Sequence, residues 1–440
     1  MTNRSTILVV GAGPAGLTAA TELARTHQVV LFDRESAAGG IPRHSAHTGY
    51  GIRDLHRVMT GPNYARRLVE RAREAGVDIR TESTVTGWAG DHSLVVTSPH
   101  GRVQWDADAV ILATGARERP RSARLIAGDR PAGVLTTGQL QNMVHLHHRT
   151  PGKRAVVVGS ELVSWSAVLT LREAGCDTVL MTTERSRPES YALFHHPARV
   201  LLSTPVSTAT RVVRVIGRDA LEAVEVEDVR AGSRRIVECD VLVLTADWIP
   251  DYELTALAGL DRDRGTRGPR VDMSLRTSRA GVFAVGNLIH PVDTADVCAL
   301  DGRQVAGAVR SYLRDLGMGE HSSAAEGSAS DSSAAEGSLP DSSLPDSSLP
   351  DGAVIQAVAP LRWIAPSLIR AGDHAPARRR LLLWSDEFRL SPRLVATQDG
   401  REVGRLTIPW PAVPGRVLRA PWALLERANP AAGEVRVTLG

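Results

Sequence analysis

The sequence predicts an α/β chain in which one nucleotide-binding-type unit is inserted into another, followed by a linker and a small β domain. Three observations predict it. Near the amino end an apolar strand pattern runs into Gly11-x-Gly13-x-x-Gly16 and then into a helical pattern. The same outline returns, with changed residues, in "VVVGSELVSWSAVLTLREAG", 156–175. A low-complexity stretch then precedes a tail of short apolar runs separated by turn residues.

The chain has 440 residues, which suggests about two to three domains. It is 42% hydrophobic, ample for large cores, and carries 39 glycines for tight turns. Net charge is +3, and the basic residues are arginines apart from Lys153, so no basic patch supports nucleic-acid binding. Cys176, Cys239 and Cys298 form no C-x-x-C pair, which excludes a redox dithiol and a clustered cysteine metal site. No apolar run reaches the roughly 18 residues of a membrane span. The first strand begins by Ile7, leaving no room for a leader. The expectation is a cytoplasmic protein with reduced thiols.

The first unit opens with Ile7 to Val10, a short apolar run suited to a buried parallel strand. Leu17, Ala20, Leu23 and Ala24 then recur at helical spacing, and Val29 to Phe32 form the next strand. Each glycine between has a separate role. Gly11 allows the turn, Gly13 lets a diphosphate approach the backbone, and Gly16 lets the helix pack on the strand. The helix N-terminus favours the phosphates. Asp33, 17 residues past Gly16, can accept hydrogen bonds from a ribose. Together these residues predict a Rossmann-type dinucleotide site.

Later segments indicate which dinucleotide. Gly39-Gly40 follows the second strand, and "ADAVILATGARERP", 107–120, has a strand ending in Ala-Thr114-Gly115. In "TSRAGVFAVGNLIHPVDTADVCALDGRQVAG", 277–307, a strand ends at Gly286 and a helix is expected near Thr294. These four segments make the chain resemble the FAD-dependent pyridine-nucleotide-disulfide oxidoreductase superfamily over roughly residues 5–315. "GGIPRHSAHTGYG", "TGARERP", "RPAGVLTTGQLQ" and "GNLIHPVDTADVCALDGR" are similar to the branch holding flavoprotein subunits of opine oxidases, hydroxyproline dehydrogenases and cyanide synthase. The disulfide chemistry of the superfamily name is not implied, since the C-x-x-C is missing.

The resemblance implies an order of parts: an FAD domain in two halves, 1–120 and 246–316, with an inserted NAD(P)-binding-like domain at 121–245; composition and pattern add a linker at 317–352 and a β-rich domain at 353–440. It implies FAD contacts from Gly11, Gly13, Pro14, Ala15, Gly16, Asp33, Arg34, Gly40, Val85, Thr114 and Gly115. Late contacts would come from Gly286, Asn287, Thr294 and Ala295. Asn287 stands where the family usually carries an aspartate, and it can still donate and accept hydrogen bonds toward the ribityl chain. The helix near Thr294 would aim its amides at the flavin pyrimidine edge.

The second turn keeps Gly159 but has Glu161 and Ser164 in place of the second and third glycines. A carboxylate at a helix N-terminus is stabilised by a few tenths to about 1 kcal/mol. Against a diphosphate, two like charges about 4 Å apart cost about 1 kcal/mol in water and about 4 at an effective dielectric near 20. Glu184 could hold a ribose or be a surface acid, and Ala246 and Asp247 stand where reductases of this class commonly carry a glycine. The residues weigh against NAD(P)H here. The other reading is a domain that retains the fold and shapes a channel or a partner surface.

Between the FAD segments lie Pro42, Arg43, His44, His47, Tyr50 and His56. Arg43 could pair with a substrate carboxylate and His44 or His47 could act as a base, or all could simply fix the loop. No catalytic residue is assigned. His145, His147, His148, His195 and His196 have no carboxylate or cysteine at a ligand spacing, so no metal is expected and they read as surface or interface residues.

From Gly319 to Gly352 "SSAAEGS" occurs twice and "SLPD" three times, without aromatics or arginines. Such a segment cannot offset its ordering entropy and reads as a flexible acidic linker. Beyond it, "RLLLW", "RLVATQ" and "VRVTL" alternate with turns, Asp399-Gly400 signals a hairpin, and Trp363, Trp384, Trp410 and Trp422 supply core candidates for a β-sandwich-like domain.

Three functions remain open from the sequence. The first is an FAD-dependent dehydrogenase, or one component of such an enzyme, moving a hydride from a small amino- or imino-acid-like substrate to FAD and on to a partner oxidoreductase subunit or acceptor. The second is an NAD(P)H-dependent flavoprotein reductase. The third is a non-enzymatic flavin-binding scaffold.

Overall fold

The structure, a computed structural model, describes residues 5–190, 192–319, 352–376 and 379–440. The linker expected over 317–352 lies outside the described residues except at its ends. There, residues 317–319 are the last turn of the helix Ala295–Gly319, so the helix outruns the expected boundary.

Strands Val282–Ala284, Ala109–Leu112, Thr6–Val10, Gln28–Phe32 and Asp78–Arg80 lie side by side in that order. All are parallel. Their side chains are mostly apolar and buried, as a sheet covered on both faces requires. The helix Pro14–Leu23 starts with Gly13 as N-cap and Pro14 in its first turn, where the missing N–H costs nothing. It packs along the helix Ala295–Gly319. A three-stranded antiparallel sheet, 84–106, flanks this unit.

A second parallel sheet repeats the arrangement with Val134–Thr136, Val241–Leu244, Arg154–Val158, Asp177–Thr182 and Val206–Ser207. The helix Leu162–Glu173 packs on it through Trp165, which is 1% exposed. Two chain passages, Ala116–Glu118 and Trp248–Pro250, pair antiparallel between the two units. The chain is therefore an α/β protein with two Rossmann-like folds.

The C-terminal residues form a five-stranded and a three-stranded sheet around a shared core that includes Ile355, Leu381, Leu383, Leu394 and Val435. Asp399 and Gly400 both adopt positive φ and close the hairpin between Arg393–Gln398 and Arg401–Thr407. Trp363, Trp384 and Trp422 are buried, whereas Trp410 is exposed. This region is not a loose appendage. Asp272, wholly buried, accepts hydrogen bonds from Arg276 (2.6 Å) and from Arg370 of the C-terminal region (3.0 Å). Met273 is part of the C-terminal core.

His195 departs from the surface placement expected of the histidines. It is 4% exposed, its Nδ1 lies 3.2 Å from Ser190 Oγ, and its ring meets Trp165 edge-on. The apolar neighbours and the hydroxyl absorb it into the core. Among the described residues no group of three or more His, Cys, Asp or Glu could hold a metal, and no helix is long and apolar enough to cross a membrane.

Candidate active site

The glycines of the first turn meet at the N-terminus of the helix Pro14–Leu23. A Cβ on Gly16 would stand 1.9 Å from the Gly11 carbonyl oxygen, so this position sets the packing of helix on turn. A Cβ on Gly13 would meet nothing within 4 Å, so the bareness of Gly13 serves open space above the turn rather than the fold. Gly40 (φ +63°) brings a second loop onto the first, where a Cβ would lie 2.8 Å from Gly13 Cα and 3.6 Å from Pro14 Cδ. Gly286 (φ +70°) brings in a third, with its would-be Cβ 2.9 Å from Ala15 Cβ. The structure thus gathers Gly11, Gly13, Pro14, Ala15, Gly16, Gly40 and Gly286 around one helix end.

Asp33 is fixed beside them. Its carboxylate accepts from the Ala12 N–H at 2.6 Å and from the Glu35 N–H at 2.9 Å, while burial pushes its pKa up. Thr114 donates its hydroxyl to the Asp251 carbonyl at 2.8 Å, and the Gly115 carbonyl accepts from the Asp251 N–H at 2.9 Å. Two expected residues lie further out. Arg34 reaches Asp251 at 3.4 Å, and Val85 sits half-buried on the strand Thr84–Trp88.

The late loop is more occupied than the sequence indicates. The Asn287 side chain closes it, donating to the Asp293 carbonyl at 3.2 Å and accepting from the Asp293 N–H at 3.0 Å. The helix starts at Ala295, next to Thr294 as expected, but Asp296 in its first turn pairs with Arg53 at 3.1 Å and accepts the Thr294 hydroxyl. Arg419 of the C-terminal region donates to both oxygens of Asp293 at 2.8 and 3.1 Å, with Asp293 nearly solvent-free. Sequence reading finds none of Asp251, Asp293, Asp296 or Arg419, because the pairs Thr114–Asp251, Asp293–Arg419 and Arg53–Asp296 each join distant parts of the chain and no local motif marks them.

In the 42–56 segment the structure separates loop-fixing residues from one with an unpartnered ring nitrogen. The Arg43 guanidinium donates to the Ala37 carbonyl and its stem lies against Gly39. Both ring nitrogens of His47 are engaged, by Ser45 Oγ (3.0 Å) and the Thr48 carbonyl (2.8 Å). Tyr50 is flanked by the rings of His47 and Tyr64, and His56 is exposed. His44 differs. It is 8% exposed, and its Nδ1 has no hydrogen-bond partner among the described residues. Burial and the neighbouring Arg43 push its pKa down to about 4, so the ring is neutral at pH 7.

The second turn is filled. Glu161 is the N-cap of the helix Leu162–Glu173, and the Ser164 hydroxyl accepts its N–H at 3.2 Å, one arm of a capping box. Ser164 Oγ also lies 2.7 Å from Thr245 Oγ1. Ser164 is therefore a polar tie as well as a small replacement for glycine. Removal from solvent and the nearby Glu189 raise the Glu161 carboxyl to about 8. Ala246 and Asp247 both adopt positive φ, a costly conformation for residues with a Cβ. It is held by Arg124, which donates to the Thr245 and Ala246 carbonyls at 2.8 and 2.7 Å, and by the Arg119–Asp247 pair at 3.0 Å.

Two interleaved Rossmann-like folds, with an open glycine turn in the first, define a protein of the two-dinucleotide-fold class. The chain belongs to the pyridine nucleotide-disulphide oxidoreductase family, whose model matches residues 5–304 and whose members bind FAD. It is 26% identical to an opine oxidase subunit from Rhizobium meliloti, over 71% of this chain and 63% of that protein. It is 27% identical to the opine oxidase subunit of the same name from Agrobacterium tumefaciens (strain Ach5), over 70% and 65%. The chain thus spans less than two thirds of the length of these relatives. Thioredoxin reductase of T. acidophilum shares the fold, with a TM-score of 0.59 at 20% identity over 70% of this chain and 98% of that one.

The residues present fit FAD: the space above Gly13 is one that any Cβ would enter, and it is walled by Gly40 and Gly286.

Proposed function

We propose that the protein is the flavin-bearing component of a dehydrogenase that oxidises a small amino- or imino-acid-like metabolite and passes the electrons to a partner subunit or another acceptor. One observation carries this reading: the turn that would bind NAD(P)H is capped by its own Glu161 and covered by the backbone at Gly415, where a Cβ would lie 2.7 Å from Glu161 Cγ. With the nicotinamide turn occupied, the reductant is a substrate that reaches the first unit.

Gly11, Gly13, Pro14, Ala15, Gly16 and Gly40 would hold the diphosphate of FAD, and Asp33, with Arg34 and Val85 beyond it, the adenosine side. Thr114, Gly115, Gly286, Asn287, Thr294 and Ala295 would line the flavin side. When bound, FAD would supply the acceptor for the hydride, and with it the two electrons, that leaves a substrate C–H bond. Hydride loss beside an amine needs the nitrogen unprotonated. His44 does not supply the base: burial holds its pKa near 4 and its unpartnered Nδ1 is enclosed, so the amine must arrive unprotonated or lose its proton to another group. Arg43 is spent on the loop and leaves substrate carboxylate binding to other groups.

Steady-state turnover with a redox dye as acceptor tests this, using a panel of amino and imino acids and no added nicotinamide. Dye reduction by one of them, lost in the flavin-free Gly13→Val protein, is expected. Dye reduction by NADH or NADPH alone would replace this reading with a reductase.

A further inference from the structure

A cavity of about 470 Å³ lies where the second turn, the loop 264–267 and the C-terminal region meet. This is within the roughly 300–1,000 Å³ of small-molecule sites. Its floor includes Gly159, Glu161 and Thr182, and its roof is Pro414–Gly415 with Asp386. The roof rests directly on the floor at one side, since a Cβ on Gly415 would stand 3.0 Å from Glu189 Cβ as well as against Glu161. A diphosphate bridge laid along the turn would have to displace both the Glu161 carboxyl and this backbone.

The charges around the cavity do not cancel. Arg119 is paired with Asp247, Arg185 with Asp386 at 3.5 Å, Arg211 with Glu227 at 2.7 Å, and Arg124 gives its donors to backbone carbonyls. Glu189 accepts hydroxyls from Ser160 and Thr183. Burial raises the Glu161 carboxyl to about 8, which favours its protonated form, and Glu184 lies exposed at the rim. Arg264, Arg267 and Arg362 remain, and none has a side-chain partner among the described residues. They come from two segments pressed together: a Cβ on Gly265 would lie 2.4 Å from the Arg362 carbonyl oxygen and 2.8 Å from Trp363 Cβ. Asp263 fixes the turn, accepting from the Thr266 N–H at 2.7 Å and the Arg267 N–H at 2.8 Å. Like charges brought together on a fixed frame call for an anion.

A separate observation comes from the floor. Thr182 is wholly buried, lines the cavity, and its hydroxyl has no hydrogen-bond partner among the described residues. A buried hydroxyl left unbonded is costly, and an oxyanion would satisfy it. Trp363, stacked on Trp384 at 6.1 Å, forms part of the wall.

We propose that this cavity binds a compact ligand bearing two or more oxyanion groups, held by Arg264, Arg267 and Arg362 at the mouth and by Thr182 at the floor, in place of a pyridine dinucleotide. Closely spaced oxyanions occur both in polycarboxylates and in phosphorylated small molecules, and guanidinium forks suit either.

The test uses the full chain loaded with FAD, titrated calorimetrically with citrate, with pyrophosphate, with acetate and with NADH at one fixed ionic strength. Binding of citrate, pyrophosphate or both, with acetate silent, is expected, and the stronger of the two names the source. Arg267→Gln and Arg362→Gln, both exposed positions that leave the flavin spectrum unchanged, should each weaken binding about tenfold. Thr182→Val should weaken it less. Failure of both polyanions to bind, binding indifferent to the arginine variants, or NADH competing with citrate would each overturn the proposal.

Discussion

Gly415 of the C-terminal region lies over Glu161 of the second turn, so close that a Cβ on Gly415 would fall 2.7 Å from Glu161 Cγ and 2.9 Å from Cδ. Two segments far apart in the chain thus meet at the point where a second dinucleotide would need space. The Gly415 backbone is itself left-handed (φ +85°), so the roof needs glycine on two grounds.

Gly415→Ala should therefore destabilise the protein by about 1–3 kcal/mol in urea unfolding. Because the closest contacts of that Cβ are with the Glu161 side chain, Glu161→Ala in the same chain should recover part of that loss. A double-mutant cycle reads this directly, and strict additivity of the two changes would deny the contact.

Glu161 also sets a pH dependence. Its carboxyl titrates near 8 folded against an ordinary 4.5, so the folded state binds the proton more tightly. Stability contributed by this group is therefore present below about 4.5 and lost as pH rises toward 8. Glu161→Gln keeps the shape without the charge. Melting temperatures followed from pH 5 to about 8 should fall less steeply in this variant than in the parent.

Gly13 and Gly16 stand three residues apart and should fail differently. Gly13→Val adds a side chain into open space. It should leave the melting curve near that of the stripped parent protein and abolish flavin binding, giving a colourless folded chain. Gly16→Val drives atoms into the Gly11 carbonyl, 1.9 Å away, and should cost about 3 kcal/mol or more. Circular dichroism with flavin absorbance separates the two outcomes.

Arg419→Met leaves the Asp293 carboxylate, 2% exposed, without its guanidinium. A loss of about 1–3 kcal/mol and faster flavin release are expected, because the same loop carries Asn287. Adding Asp293→Asn should restore part of the stability, measured by thermal unfolding.

The first unit is readable in the sequence because its determinants are local. The glycine spacing, the apolar strands and the acid at Asp33 each lie within one strand–turn–helix–strand stretch, and each has one geometric use. The start of the helix at Ala295 is readable for the same reason. Glu161 announces a change in the second turn, but not what covers it. Gly415 looks like any loop glycine until the C-terminal region folds back. Arg43 and His44 are adjacent and equally polar in sequence, and only packing shows one bound to a carbonyl and the other left with a free nitrogen. His195 reads as a surface residue because the residues that bury it, Trp165 and Ser190, arrive from other turns of the fold.

The central claim is that the first turn holds FAD while its internal copy no longer takes a nicotinamide, and anaerobic reductive titration of the purified yellow protein tests it most directly. Stepwise bleaching of the flavin by an amino or imino acid, with NADH and NADPH leaving the spectrum unchanged, is the result this account predicts. Stoichiometric bleaching by either nicotinamide would contradict it.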